Sequence, residues 1–170
     1  SQLKEGSDIK DNKKFIYKVI KDFAKANVSC NLVFKHHPRD RGYTNYFNTI
    51  EKSSKEFGVY EKVFYVHDYF LSKLFQNPNC KGTVLINSTV GYQSLYHSVP
   101  IKSFGISPYN IEGLSDQRNL ISFFRNPLPV DKLLFNKFYK HILENSQING
   151  NFDGFFPFSN VFITKKWKDS

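Results

Sequence analysis

The sequence predicts an α/β fold built on a parallel sheet with flanking helices, and three observations carry the prediction. Four short apolar runs have strand length. Stretches of helical periodicity separate them. The residues just after the first three runs are His, Asp, Asn, Ser and Thr, the types that line ligand-binding rims. Such sheets are covered on both faces, their crossovers are right-handed, and ligands bind outside the carboxyl ends of the strands.

The elements follow in order. "DNKKFIYKVIKDFAKAN" places Phe15, Ile16, Val19, Ile20 and Phe23 at three-and-four spacing, an amphipathic helix. "CNLVFK" (Cys30–Lys35) is the first strand. "TNYFNTIEKSSKEFG" is a helix closed by Gly58, a residue suited to the left-handed conformation that ends helices. "EKVFYVH" (Glu61–His67) is the second strand, after which Asp68 would cap a short helix through Leu74 and Phe75. "NPNCKG" is a turn and "TVLIN" (Thr83–Asn87) the third strand. A helix in "TVGYQSLYHS" leads to the fourth strand, "VPIKSFG" (Val99–Gly105). The remainder reads as irregular and aromatic, except for a helix in Pro129–Gln147 with Leu133, Leu134, Phe138, Ile142 and Leu143 as its buried stripe.

At 170 residues the chain is one domain's worth, with residues 148–170 as a C-terminal tail. An apolar content of 40% is globular, and 18 Phe and 10 Tyr make an aromatic core. No apolar stretch approaches 18 residues, and "SQLKEGSDIKDNKK" lacks a signal-peptide core. Two cysteines, Cys30 and Cys80, fit reduced structural roles. A formal charge of +9 suits a polyanion, which includes nucleic acid, an anionic membrane surface and a phosphorylated small molecule; scattered lysines also serve solubility. The first helix has no strand before it, so the expectation is one lobe of a larger protein.

Two loops carry the chemistry. In "INSTVG", Asn87, Ser88 and Thr89 lead into a helix and offer hydroxyls and backbone amides to a phosphate or carboxylate; the same residues would serve equally as an ordinary N-cap. In "KHHPRDRG", Pro38 holds His37 extended while Lys35, Arg39 and Arg41 raise the positive potential, either for a phosphate or as a solvated basic loop. "VHD" pairs His67 with Asp68, a combination commoner as a helix cap than as a catalytic pair. HExxH, paired CxxC and DxD patterns are absent, so no metal is expected. GxSxG, GxGxxG and GxxxxGK[ST] are absent too. The basic residues are not gathered on one helix, so nucleic acid is not the expected partner.

"LVFKHHPRDRG", "VHD", "GTVLINSTVGYQSLYHSVPIKSFG", "YNIEGLSDQ" and "QINGNF" follow one another in an order that resembles the capsule polysaccharide biosynthesis family, the KpsS- and KpsC-like bacterial β-Kdo transferases. The resemblance runs from about Gln2 to Phe152. It implies a Rossmann-like lobe of a two-lobed GT-B glycosyltransferase, here the C-terminal, donor-binding one. The donor substrate would be CMP-Kdo, with no further cofactor. The acceptor would be a phosphatidylglycerol-based lipid at the cytoplasmic face of the inner membrane, where the enzyme sits peripherally among other capsule assembly proteins.

By the same resemblance His37, Ser88 and Thr89 would hold the CMP phosphate, with His37 stabilising the leaving group. Lys35 and Arg39 would assist, and Asn87 would orient the loop. Ser115 and Gln117 of "EGLSDQ" would reach cytosine or the sugar, or else form a polar turn. The acceptor lobe and the reacting carboxylate would lie upstream, leaving this chain able to bind donor without turning it over. The alternatives are a GT-B lobe for a UDP-type sugar and a non-catalytic polysaccharide- or nucleic-acid-binding module.

Overall fold

The structure, a computed structural model, describes residues 11–36, 45–67 and 69–145. The chain divides into two compact units, residues 1–132 and 133–170. The sequence expectations placed on His37, Arg39, Arg41, Asp68 and the tail from 148 onward lie outside the described residues.

In the first unit the element order is α1 (Asn12–Ala26), β1 (Leu32–Lys35), α2 (Phe47–Glu56), a 3-10 turn (Tyr60–Lys62), β2 (Val63–Val66), α3 (Leu71–Gln76), β3 (Thr83–Leu85), α4 (Val90–Tyr96), β4 (Ile101–Ser103) and α5 (Leu120–Arg125). The expected alternation is therefore present. β1 pairs in parallel with β2, Leu32 opposite Val63, and β3 pairs in parallel with β4, Thr83 opposite Ile101. Two features differ from the expectation. The strands make two two-stranded sheets rather than one of four, because the pairs meet through side chains: Leu32, Phe34, Val84 and Phe104 all pack on the cluster of Val19, Leu120 and Phe123. The short helix α5 went unforeseen, its six residues being too few to show a period.

α1 organises the unit. Asp11 caps it by accepting the Lys13 N–H at 2.8 Å, and Asn27 closes it in the left-handed region at φ 51°. Its stripe of Ile16, Val19, Ile20 and Phe23 is buried to 6% exposure or less. Ile16 and Ile20 join Ile50 of α2 over Leu32, Phe34, Val63 and Tyr65. Val19 turns toward α5 and the other strand pair. At the far end Arg125 donates from Nε to the Ala26 carbonyl and from Nη2 to that of Lys25, both at 3.3 Å, satisfying carbonyls that the helix leaves free.

The direction of α1 fixes where the strands end. Near its N-terminus Asn12 donates to the Tyr46 hydroxyl, Tyr46 packs on His36 just after β1, and Phe15 meets Phe104 just after β4. Near its C-terminus Lys62, at the start of β2, donates to the Val28 carbonyl. Phe23 meets Phe124 of α5, and Phe123 reaches Gly82 at the start of β3. All four strands thus run antiparallel to α1, and their carboxyl ends lie at one end of the unit.

Coverage is uneven. β4 is buried throughout, whereas Val33 and Phe64, opposite one another on the outer face of the β1–β2 pair, are 44% and 47% exposed. The expectation of full cover on both faces fails there among the described residues. Gly58, at φ 69°, follows α2 as the glycine signal predicts. α3 begins after Phe70 with no side-chain cap.

The described part of the second unit is residues 133–145, all but the first residue of the helix α6 (Lys132–Asn145). Its stripe is narrower than the expected one and takes in Phe135. Phe135 is buried and Leu134, Phe138 and Ile142 are half-buried, while Leu133 and Leu143 are exposed. Positions 134, 138 and 142 recur every four residues along one face, and Leu133 falls to its flank. No helix among the described residues is long and apolar enough to cross a membrane.

Phe123→Ala removes a ring that is 2% exposed in the cluster shared by both strand pairs. It should cost about 3–5 kcal/mol in urea denaturation, and Leu133→Ala, at an exposed position, should cost under about 0.5 kcal/mol.

Candidate functional site

The carboxyl ends of β1 and β2 carry an aromatic cluster that follows from strand alternation. Leu32, Phe34 and His36 share one face of the first strand, as Val63, Tyr65 and His67 do on the second. The His36 N–H donates to the Val66 carbonyl at 2.8 Å and extends the pairing by one residue. His36 and His67 therefore stand side by side, with ring centroids 4.6 Å apart and planes inclined by 22°. His36 is buried and its Nδ1 is bonded to the Tyr65 hydroxyl. The Tyr65 ring lies 4.7 Å from His67, which is exposed. Lys35 reaches over the strand ends, and its ammonium donates to the His36 carbonyl at 3.1 Å and the His67 carbonyl at 3.4 Å. Lys35, expected near a phosphate, thus ties the two rim backbones together.

The rim of β3 and β4 is built differently. Asn87 and Ser88 are half-buried and Thr89 is exposed. The Ser88 hydroxyl accepts the Val90 N–H at 3.3 Å, while the Thr89 side chain makes no capping bond. Beneath the loop Tyr109, 1% exposed, donates its hydroxyl to the Ser88 carbonyl at 2.6 Å. Burial pushes its phenol up to about 12, which keeps it a donor at neutral pH. Gly91 is required here: a Cβ would stand 2.5 Å from the Tyr109 ring. Gly105 is required too, since a Cβ would meet the Ile86 carbonyl at 2.9 Å, and its N–H donates to that same oxygen at 2.8 Å. The loop is thereby held from below while its hydroxyl edge remains reachable.

The segment from Leu114 to Arg118 sits against β4. Ser115, 3% exposed, accepts the Ser103 N–H at 3.3 Å. Gln117 is exposed and donates to the Ser115 carbonyl at 2.9 Å and to Asn110 Oδ1 at 3.2 Å. Asp116 is a hub: its carboxylate accepts from Arg118 Nε at 3.0 Å, Arg118 Nη2 at 2.7 Å, and the backbone N–H groups of Arg118 and Leu128. Its carbonyl accepts from the buried Lys102 ammonium at 2.8 Å. Burial alone would raise the Asp116 carboxyl, but these donors outweigh it and hold the group below the ordinary carboxylate range. Burial likewise lowers Lys102 from its usual value. Asp116 is therefore committed to the fold.

Of the expected site residues, the structure gathers Lys35 with the first rim and Asn87, Ser88 and Thr89 with the second, both at the end toward which α1 points its N-terminus. Ser115 lies inside, against β4. The His36–Tyr65–His67 cluster was not anticipated as a unit; the signal was the phase, since each ring falls two residues beyond an inward-facing side chain. Among the described residues no group of three His, Cys, Asp or Glu side chains converges as a metal site would require.

Residues 1–153 match the family model described as capsule polysaccharide biosynthesis protein. The chain is 38% identical over 168 residues to the capsule polysaccharide modification protein LipB of Neisseria meningitidis serogroup A, covering 98% of this chain and 38% of that one. The serogroup B protein of the same name is 37% identical over the same span. The capsule polysaccharide export protein KpsS of Escherichia coli is 38% identical over 150 residues, 88% of this chain and 38% of that one. The chain thus spans 38% of the length of these relatives. No solved structure matches.

The depressed Asp116 carboxyl has a measurable consequence. Its stabilisation is complete above the unfolded-state value near 3.8 and is lost as pH falls through the lower folded-state value. Asp116→Asn should flatten the acid limb of the stability curve below about pH 4, and should cost about 2 kcal/mol at pH 7, read by urea titration across pH.

Proposed function

This chain belongs to the capsule polysaccharide biosynthesis protein family, and from that premise we propose that it is the donor-nucleotide lobe of a glycosyltransferase acting in capsule assembly. The observation that supports this reading most is the gathering of the strand carboxyl ends at one rim, where Lys35, His36, His67 and Asn87–Thr89 stand. On this reading the donor is CMP-Kdo. Ser88 and Thr89 hold its phosphate, assisted by His37, Lys35 and Arg39 from the first loop, with Asn87 orienting the turn. Ser115 and Gln117 shape the neighbouring wall.

In the transfer the acceptor oxygen bonds to the anomeric carbon of the sugar as the bond from that carbon to the phosphate oxygen breaks. The CMP that leaves carries the negative charge, and donors already aimed at the phosphate lower the barrier. The proton of the acceptor hydroxyl passes to a base on the acceptor lobe, which the remaining length of the relatives would supply. The lipid acceptor places the assembled enzyme at the cytoplasmic face of the inner membrane, beside other capsule assembly proteins, and the basic surface suits an anionic headgroup layer.

Calorimetric titration with CMP, UDP and cytidine tests the reading. CMP should bind in preference to UDP. Ser88→Ala with Thr89→Ala should weaken CMP about tenfold, the size of a lost charge-assisted hydrogen bond, and leave cytidine unchanged. A preference for UDP would assign another nucleotide sugar, and an equal loss for cytidine would make the loop a structural element alone.

A further inference from the structure

We propose that His67, backed by His36, is the stacking platform for the base of the bound nucleotide, an assignment that rests on the donor-lobe reading above. The platform is described by three observations. First, the two imidazoles are stacked at 4.6 Å, and the inner one is only 8% exposed and bonded to Tyr65, so the outer ring leans on a fixed support. Second, the Tyr65 ring at 4.7 Å confines His67 from another side, yet His67 remains exposed to solvent. A ring ordered in advance loses little rotamer freedom when a planar ligand covers it. Third, the Lys35 ammonium bonds the carbonyls of both histidines, so the two ring-bearing residues move as one piece.

The surroundings favour a flat, partly apolar ligand over a simple anion. After His67 the chain presents Tyr69 and Phe70 at 50% and 74% exposure, large rings left outside the core. Every nucleobase offers a π face to such a surface. The hydroxyls of Ser88 and Thr89 lie at the same end of the unit, so a nucleotide laid along the rim would put its phosphate at one place and its base at the other. Ser115, by contrast, is 3% exposed with its hydroxyl already engaged, so it presents no surface on which a base could lie.

The test uses the full chain and three probes: CMP, cytidine, and ribose 5-phosphate, which lacks the base. His67→Ala should weaken CMP and cytidine by the same factor, about tenfold, and leave ribose 5-phosphate unchanged. His67→Phe, which keeps a ring without its nitrogens, should bind all three like the parent. Melting temperatures should match, since His67 is exposed. CMP binding that His67→Ala leaves intact would overturn the platform while sparing the donor-lobe reading. An equal loss for ribose 5-phosphate would make His67 a phosphate ligand, and failure of His67→Phe to retain cytidine would make it a hydrogen-bonding group; either overturns stacking. A parent chain that binds none of the three probes would remove the donor-lobe reading, and this one with it.

Discussion

The burial of α1 on two sides is the constraint on which the unit depends. One helix stripe must satisfy two strand pairs at once, with Ile16 and Ile20 facing β1 and β2 while Val19 faces β3 through the α5 cluster. A helix stripe about 100° wide can do this only if the two pairs lie side by side beneath it. The strands need no hydrogen bond between the pairs for their ends to be aligned. The alignment of the rim, and with it any chemistry performed there, is inherited from the packing of a helix that contributes no group to it.

The two rims then divide the work between rigid and reachable parts. At β1 and β2 the rigid parts are His36 and the Lys35 tie; at β3 and β4 they are Tyr109, Gly91 and Gly105. In each case a buried polar group is fully engaged below an exposed one, His67 or Thr89. Among the described residues no buried side-chain nitrogen or oxygen lacks a partner. The Asp116 hub does the same for the segment against β4, its carboxylate committed to Arg118 and two backbone amides.

Much of this was legible in the sequence, and the failures have physical causes. The alternation of elements, the stripe of α1 and the left-handed Gly58 are local signals, and each appears as read. The separation of the sheet into two pairs was not legible, because strand partners are chosen by long-range packing, and three-residue strands carry almost no register information. The stripe of α6 was drawn too wide, since Leu133 and Leu143 are as apolar as Leu134 and only packing distinguishes them. The basic loop drew attention to His37, while the described cluster is built on His36, whose inward phase with Leu32 and Phe34 was the available clue. The Lys35 side chain illustrates a further limit: a cation beside a candidate anion site can also tie backbone carbonyls together, which no spacing rule reveals.

The long reach of Arg125 bears on how the unit assembles. Pairing Thr83 with Ile101 closes a loop of 18 residues, whereas the bond from Arg125 to Ala26 spans 99. Loop-closure entropy makes the longer closure costlier by about 1.5 kcal/mol, and parallel pairing is slow for the same reason. The β3–α4–β4 segment can therefore form as a local nucleus, with α5 swinging onto the end of α1 last. On a ribosome the same order means that Ile16 and Ile20 of α1 can be covered by α2 and β2 before α5 is made, whereas Val19 is sealed only once residue 125 has emerged. The helix that aligns the whole rim is thus secured on one side early and on the other late.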